Sequence, residues 1–171
     1  KKTSFAVPTG NFGDIYAGYI AKKMGLDIDK LIVATNENDI LQRVINTGEY
    51  KPGQVKSSLS PSMDIQVSSN FERLLFDVVN KDDKRVSVLM HDLKSQGFFK
   101  LKKQELDIIK KDFCAEKISN KETLSIIYEI YKNSNFIIDP HTATAVVAAK
   151  KTNDLSNTII LGTAHPYKFL E

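Results

Sequence analysis

Apolar and polar positions alternate between two periods along this chain. Ser4 to Val7 is a short apolar run that reads as a buried strand. Directly after it, Ile15, Tyr16, Tyr19, Ile20 and Met24 recur at helical spacing, and Gly25 is a natural stop. Leu31 to Ala34 reads as a second buried strand, followed by the polar stretch Thr35-Asn36-Glu37-Asn38-Asp39. A strand, a helix and a strand in that order form the unit from which parallel sheets are built. Residues 46 to 62 are rich in Gly, Pro and Ser and read as an ordered loop. Ser69 to Glu72 has the spacing of a capping box and opens a helix through Leu74, Leu75 and Val78. Lys81 to Arg85 reads as a charged turn.

From about 85 to 132 the pattern is helical throughout. Val86, Leu89, Met90 and Leu93 share one face, and Leu106, Ile109 and Phe113 share another. A second capping box, Ser119 to Glu122, precedes the stripe Leu124, Ile127, Tyr128 and Tyr131. This region carries no chemistry in its pattern and reads as a packing insert. The α/β pattern then resumes. Phe136 to Ile138 is expected as a strand and Asp139-Pro140 as N-cap and first helical residue. The helix His141 to Lys151 and a last strand, Thr158 to Leu161, follow. The fold class is therefore α/β, a parallel sheet between helices with a helical insert, in one domain over residues 1–171.

Composition narrows the function classes. The 171 residues are 42% hydrophobic, enough for a core, and the net charge of +3 is too small and scattered to argue for nucleic acid. Cys114 is the only cysteine, so neither a disulfide framework nor a thiolate metal cluster is expected, and a reducing, cytoplasmic setting fits. The three histidines, His91, His141 and His165, lack metal-ligand spacing. No apolar run is long enough to span a membrane. The chain opens inside a strand and reads as a piece of something larger.

The stretch with chemistry in it is Thr9-Gly10-Asn11-Phe12-Gly13-Asp14, between the first strand and the first helix. A helix N-terminus carries unpaired N–H groups and partial positive charge, and glycines let backbone approach an anion closely. The loop is neither a Walker loop nor the G-x-G-x-x-G dinucleotide fingerprint. On spacing alone it is equally a phosphate cradle or a tight strand-to-helix turn. A nucleic-acid module that clamps a backbone with G-x-x-G, and a non-catalytic interaction domain, are the alternatives from other classes.

The segments VPTGNFGDIYAGYIAKKMGL, LIVATNENDIL, SPSMDIQVSSNFERLL, DPHTA and LGTAHPYKF occur in an order that covers nearly the whole chain. In these the chain resembles the C-terminal portion of the threonine synthases, fold-type II pyridoxal-phosphate (PLP) enzymes of the tryptophan-synthase-β-like fold. Tyr167 departs from the smaller residue expected there. The resemblance implies conversion of O-phosphohomoserine and water to threonine and phosphate, with PLP as electron sink. It implies that Gly10, Asn11, Phe12 and Gly13 contact the cofactor phosphate and that the Thr163 hydroxyl faces the pyridine nitrogen. It further suggests Asn70 and Arg73, beside Ser68 and Ser69, for the substrate phosphate, with Ser69 also readable as a simple helix cap, and His165 for the lining of the site. The Schiff-base lysine of the family lies upstream of this segment. No residue of this chain is expected in that role, and the chain alone is expected to be inactive. A small-molecule substrate is implied, with no metal, nucleic acid or membrane. Asp14 reads as a helix-end residue; Asn36, Asn38 and Asp39 follow a strand and could reach the site but read first as helix caps; His91 reads as surface, and His141 as part of a structural helix start.

Overall fold

The structure is a computed structural model that describes residues 2–152 and 155–169. Its sheet has four parallel strands in the order β5-β2-β1-β6: β1 (Thr3–Pro8), β2 (Ile28–Thr35), β5 (Phe113–Lys117) and β6 (Thr158–Ile160). A two-stranded antiparallel ribbon, β3 (Glu49–Tyr50) with β4 (Phe99–Lys100), lies apart from it. Helices cover both faces of the main sheet.

The two strands read from the sequence as buried runs have both faces covered, as a parallel sheet requires. Val7, Leu31 and Val33 pack with α1 (Gly13–Lys23), α2 (Ile40–Thr47) and α3 (Phe71–Val78), and with α4 (Asp83–Gln96) and α5 (Lys103–Asp112). The alternate residues Ala6, Ile32 and Ala34 pack with α6 (Asn120–Ser134) and α7 (Pro140–Lys151). On that second face Ala143, Ala145, Ala148 and Ala149 are buried, and such small side chains let α7 lie close against the sheet. Cys114 points to the same face, where burial pushes its thiol up to about 11, so it stays an uncharged packing group.

Five expectations are corrected. The 46–62 loop is preceded by a helix, α2, that the pattern reading passed over although Ile40, Leu41, Val44 and Ile45 are all buried on one side of it. The helical stretch 85–132 is interrupted at Phe113, where α5 passes without a break into β5, a strand of the main sheet that pairs with β2 from Leu31↔Phe113 to Thr35↔Lys117. Phe136 to Ile138 is not a strand; it connects α6 to α7 without a partner, and Phe136 and Ile137 are exposed. Ser69 does not cap α3, which starts two residues later with Asn70 at the N-cap and no side-chain cap bond. The strand expected to run to Leu161 ends at Ile160.

The other two caps form as read. Ser119 and Glu122 make a reciprocal capping box at α6, and Asp139 accepts from the N–H groups of His141 (2.8 Å) and Thr142 (3.2 Å) at α7. Glu122 gives a pH prediction. Partial burial alone would raise its pKa, but the Ser119 Oγ–H (2.7 Å), the Ser119 N–H (2.8 Å) and the Lys151 ammonium (2.9 Å) bring it down to about 2 from the ordinary 4.5. A pKa depressed on folding stabilises the protein above the unfolded value and is lost as pH falls through the folded one. The contribution is therefore complete above about pH 4.5 and disappears towards about pH 2. With the side chain 40% exposed, solvent screening reduces it to about 1 kcal/mol or less. Glu122→Gln is expected to lower the urea midpoint of the full-length protein at neutral pH, and the gap to wild type is expected to close on acidification through that window.

Candidate functional site

The glycine-bracketed loop leaves the C-terminal end of β1, where ligands of parallel sheets gather. Its position is fixed from both sides. The Thr9 N–H donates to the Ala34 carbonyl at the end of β2 (2.8 Å), and the Thr9 Oγ–H donates back to the Val7 carbonyl (2.6 Å). Gly10 is pressed against the one-turn 3₁₀ helix Pro61–Met63: a Cβ there would lie 3.0 Å from the Met63 Cα and 3.1 Å from the Ser62 carbonyl oxygen. The Asn11 Oδ1 accepts from both the N–H (2.7 Å) and the Oγ–H (2.8 Å) of Ser69, so Ser69 ties this loop to the start of α3 instead of capping that helix.

Phe12 is the turning point. It holds a left-handed backbone conformation (φ 65°) as N-cap of α1 and makes no side-chain cap bond. Its ring is fully buried, edge-on to Phe71 (5.3 Å) and tilted on Phe113 (5.5 Å). The side chain thus anchors the turn in the core, and only the main chain of Phe12 is left to face a ligand. The first N–H groups of the 11-residue helix α1 consequently have no side-chain acceptor at the cap. They are the donors from which anion sites at helix N-termini are made.

Opposite the loop stand Ser62 and Met63, then Asn70, His141, Thr163 and Ala164. Together with residues 8–14 they enclose a cleft of about 340 Å³. Asn70 lies beside Gly13, its Nδ2 3.5 Å from where a Cβ would stand. Thr163 and Ala164 arrive just beyond β6. The Ser62–Met63 wall is held by a buried polar network. The Asn36 Nδ2 donates to the Asp64 Oδ1 (2.7 Å) and to the Ser58 Oγ (2.7 Å), and the Asn38 Nδ2 donates to the Lys56 carbonyl (2.8 Å). Asn36 and Asn38 therefore do not cap helices; they fix the loop that walls the cleft. Asp39 precedes α2, but its carboxylate pairs with Arg43 (2.8 Å) and Lys117 (3.0 Å) instead of capping. Burial alone would raise its pKa, and those two cations hold it below the ordinary value.

Of the site residues expected from the sequence, Gly10, Asn11, Phe12, Gly13, Asn70 and Thr163 meet at this cleft. Arg73 does not. It is exposed on α3 and lines a neighbouring cleft of about 410 Å³ with Tyr16, Ser69 and Phe76. His165 is also outside the lining: its Nδ1 accepts from the Tyr167 N–H (3.3 Å) and its ring stacks on the Tyr167 ring (5.3 Å, 7°). Tyr167 is 76% exposed, which explains how a larger residue is accommodated there.

His141 is the lining residue that the sequence reading set aside as structural. It is 3% exposed, and its Nδ1 lies 3.2 Å from the Asp139 Oδ1. Burial pushes its pKa down, Asp139 and Asp64 oppose that, and Lys168 adds to it, so the ring is neutral near pH 7. The available signal was the short spacing Asp139-Pro140-His141, which puts an imidazole next to a capping carboxylate. Among the described residues no lysine or arginine lines the cleft, no cluster could hold a metal ion, and no helix is long and apolar enough to cross a membrane.

The architecture is that of the fold-type II PLP enzymes. Serine racemase from Dictyostelium discoideum shares the fold at a TM-score of 0.52 and 15% identity, over 96% of this chain and 45% of that one. The match to the threonine synthases is much closer. Threonine synthase from Pseudomonas aeruginosa is 47% identical over 173 residues, all of this chain and 37% of the relative. The crystal structure of PLP-bound threonine synthase from Brucella melitensis superposes with a TM-score of 0.96 at 45% identity, over 99% of this chain and 37% of that one. No family model matches the chain. The chain is thus homologous over its whole length to threonine synthase, and it spans a little over a third of the length of the relatives it matches.

Proposed function

We propose that this chain is the part of a threonine synthase that seats the phosphate and pyridine ends of PLP, in an enzyme converting O-phosphohomoserine and water to threonine and phosphate. The observation that carries the reading is the uncapped N-terminus of α1 behind the Gly10–Gly13 loop, opening on the cleft that Thr163 enters from the next strand. The residues fit the group. Several main-chain N–H groups and the positive end of a helix suit a phosphate dianion. A neutral hydroxyl at Thr163 pairs with a pyridine nitrogen without forcing it to stay protonated, unlike a carboxylate.

PLP, when bound, supplies the electron sink for carbanions at the substrate. The chain's own part is to hold and aim. The loop amides fix the anionic end, and the buried Phe12 ring keeps those amides from retreating. The Asn36–Asp64 network keeps the Ser62–Met63 wall in place against Gly10. Arg73, exposed in the adjoining cleft, has the forked guanidinium that suits a second phosphate, and we assign it with Asn70 to the substrate side. His165, two residues beyond Thr163, is assigned to the same side, although its ring stacks on Tyr167 outside the cleft lining. A nucleic-acid clamp would want basic side chains around G-x-x-G, whereas the loop is followed by Asp14.

The lysine that holds and moves protons for this chemistry comes, on this reading, from outside the described cleft. The test follows from that. The full-length protein is expected to bind PLP and to release phosphate from O-phosphohomoserine with formation of threonine. These 171 residues alone, treated with PLP and borohydride, are expected to give scattered substoichiometric labelling of surface lysines and no phosphate release. A PLP-saturated full-length protein that leaves O-phosphohomoserine intact overturns the substrate. A single stoichiometric adduct together with phosphate release by the 171 residues overturns the placement of the lysine.

A further inference from the structure

His141 stands in the cleft wall with half of its chemistry unused. The Asp139 Oδ1, 3.2 Å away, can only accept, so it fixes the proton on Nδ1 and leaves the lone pair on Nε2. Asp139 is itself held: it accepts from the His141 N–H (2.8 Å), the Thr142 N–H (3.2 Å) and the Thr142 hydroxyl. A carboxylate locked by a helix start, orienting an imidazole whose far nitrogen is free, is the arrangement by which proteins aim a hydrogen-bond acceptor.

That far nitrogen has no partner. Nε2 is closed off from water and accepts no hydrogen bond, one of only two such side-chain atoms among the described residues. A buried acceptor left unpaired costs its desolvation with no return, and proteins rarely keep one without a use. The neighbour packed on the ring is Phe169 (4.9 Å, 46°), in the stretch beyond β6 that also brings Thr163 into the cleft. Phe169 belongs to no strand of the sheet and is only half-buried.

We infer that His141 is a ligand-contacting residue of this cleft: its Nε2 accepts a hydrogen bond from an O–H or N–H group of the bound molecule when the stretch 163–169 shifts off the ring. The location rests on the structure alone; the identity of the bound molecule rests on the reading proposed above. The donor belongs either to the cofactor or to the amino acid, and the two are separable.

The experiment uses the full-length protein carrying ¹⁵N-histidine, whose long-range ¹H–¹⁵N spectra distinguish protonated from lone-pair nitrogens. PLP is added first, followed by L-threonine with inorganic phosphate, the products of the proposed reaction. His141→Phe identifies the signal by its loss, and His141→Gln serves the same purpose if the first variant does not fold. The expected result is a lone-pair Nε2 that moves towards the hydrogen-bonded position on one of the two additions. Movement with PLP assigns the donor to the cofactor, and movement with the second addition assigns it to the amino acid. His141→Phe is expected to weaken binding of the addition that moves the signal about tenfold, and His141→Gln, which restores an acceptor, by much less. Phe169→Ala is expected to move Nε2 before anything is added, because water then reaches it. A Nε2 signal that neither addition moves overturns the inference even when PLP is bound. Failure of PLP to bind overturns the cofactor reading instead, and His141 is then judged on the threonine and phosphate addition alone.

Discussion

Alanine at Gly13 is expected to leave the full-length protein folded but to weaken PLP binding by roughly ten- to a hundredfold, whereas alanine at Gly10 is expected to damage the fold itself. The two glycines look equivalent in sequence and differ in what surrounds them. A Cβ at Gly13 meets only the Asn70 Nδ2, at an ordinary 3.5 Å, and it stands at the first turn of α1 where alanine is a better helix former. Its cost falls on the ligand, because a methyl group at the cradle holds an anion away from the amides. Losing one hydrogen bond to a charged group is worth about 1.5–3 kcal/mol, which is that fold-change in affinity. A Cβ at Gly10 instead meets main-chain atoms at 3.0 Å and 3.1 Å. The Met63 and Ser62 backbone cannot give way cheaply, since the Asn36, Ser58 and Asp64 bonds pin it. Overpacking of this kind costs about 1–3 kcal/mol. Thermal unfolding and PLP titration of both variants check the contrast. Unchanged PLP affinity in a folded Gly13→Ala protein would remove the cofactor phosphate from this loop.

Much of the frame was legible because the chain states it locally. The runs at Ser4–Val7 and Leu31–Ala34, the helical spacing after Gly13, and the caps at Ser119 and Asp139 each depend on residues close in sequence. What was missed depends on partners distant in sequence. β5 is a strand because Phe113 and Ala115 find β2 some 80 residues earlier, while its five residues continue the apolar spacing of α5 without a glycine or proline to mark the change. Phe136 to Ile138 has strand composition and no neighbour to pair with. Ser69 carries the capping signature, yet Asn11 claims its hydroxyl and its N–H from 58 residues away. The site shows the same division. The Gly10–Gly13 loop could be read from spacing and family resemblance. That Arg73 stays in a neighbouring cleft, that Asn36 and Asn38 buttress a wall, and that His141 enters the lining are all consequences of tertiary packing.

Phe12 shows how the two kinds of information combine, and it gives the largest expected effect on stability. Resemblance places it among the cofactor contacts, but the structure buries its ring completely between Phe71 and Phe113 and leaves only its main chain for the cleft. Phe12→Ala is therefore expected to cost about 3–5 kcal/mol, the transfer term plus a cavity that the neighbouring rings, set by α3 and β5, cannot collapse to fill. The left-handed backbone adds little to the difference, since both residues have a Cβ and both are strained at φ 65°. Phe12→Leu keeps most of the volume and is expected to lose less than about 1.5 kcal/mol. If the ring acts only as an anchor, the leucine variant binds PLP within about threefold of wild type, because the main-chain donors stay where they are. Urea unfolding gives the first pair of values and PLP titration the second. A leucine variant that is as stable as expected but has lost the cofactor would show that the ring itself shapes the cradle, and that Phe12 contributes more to the site than its backbone.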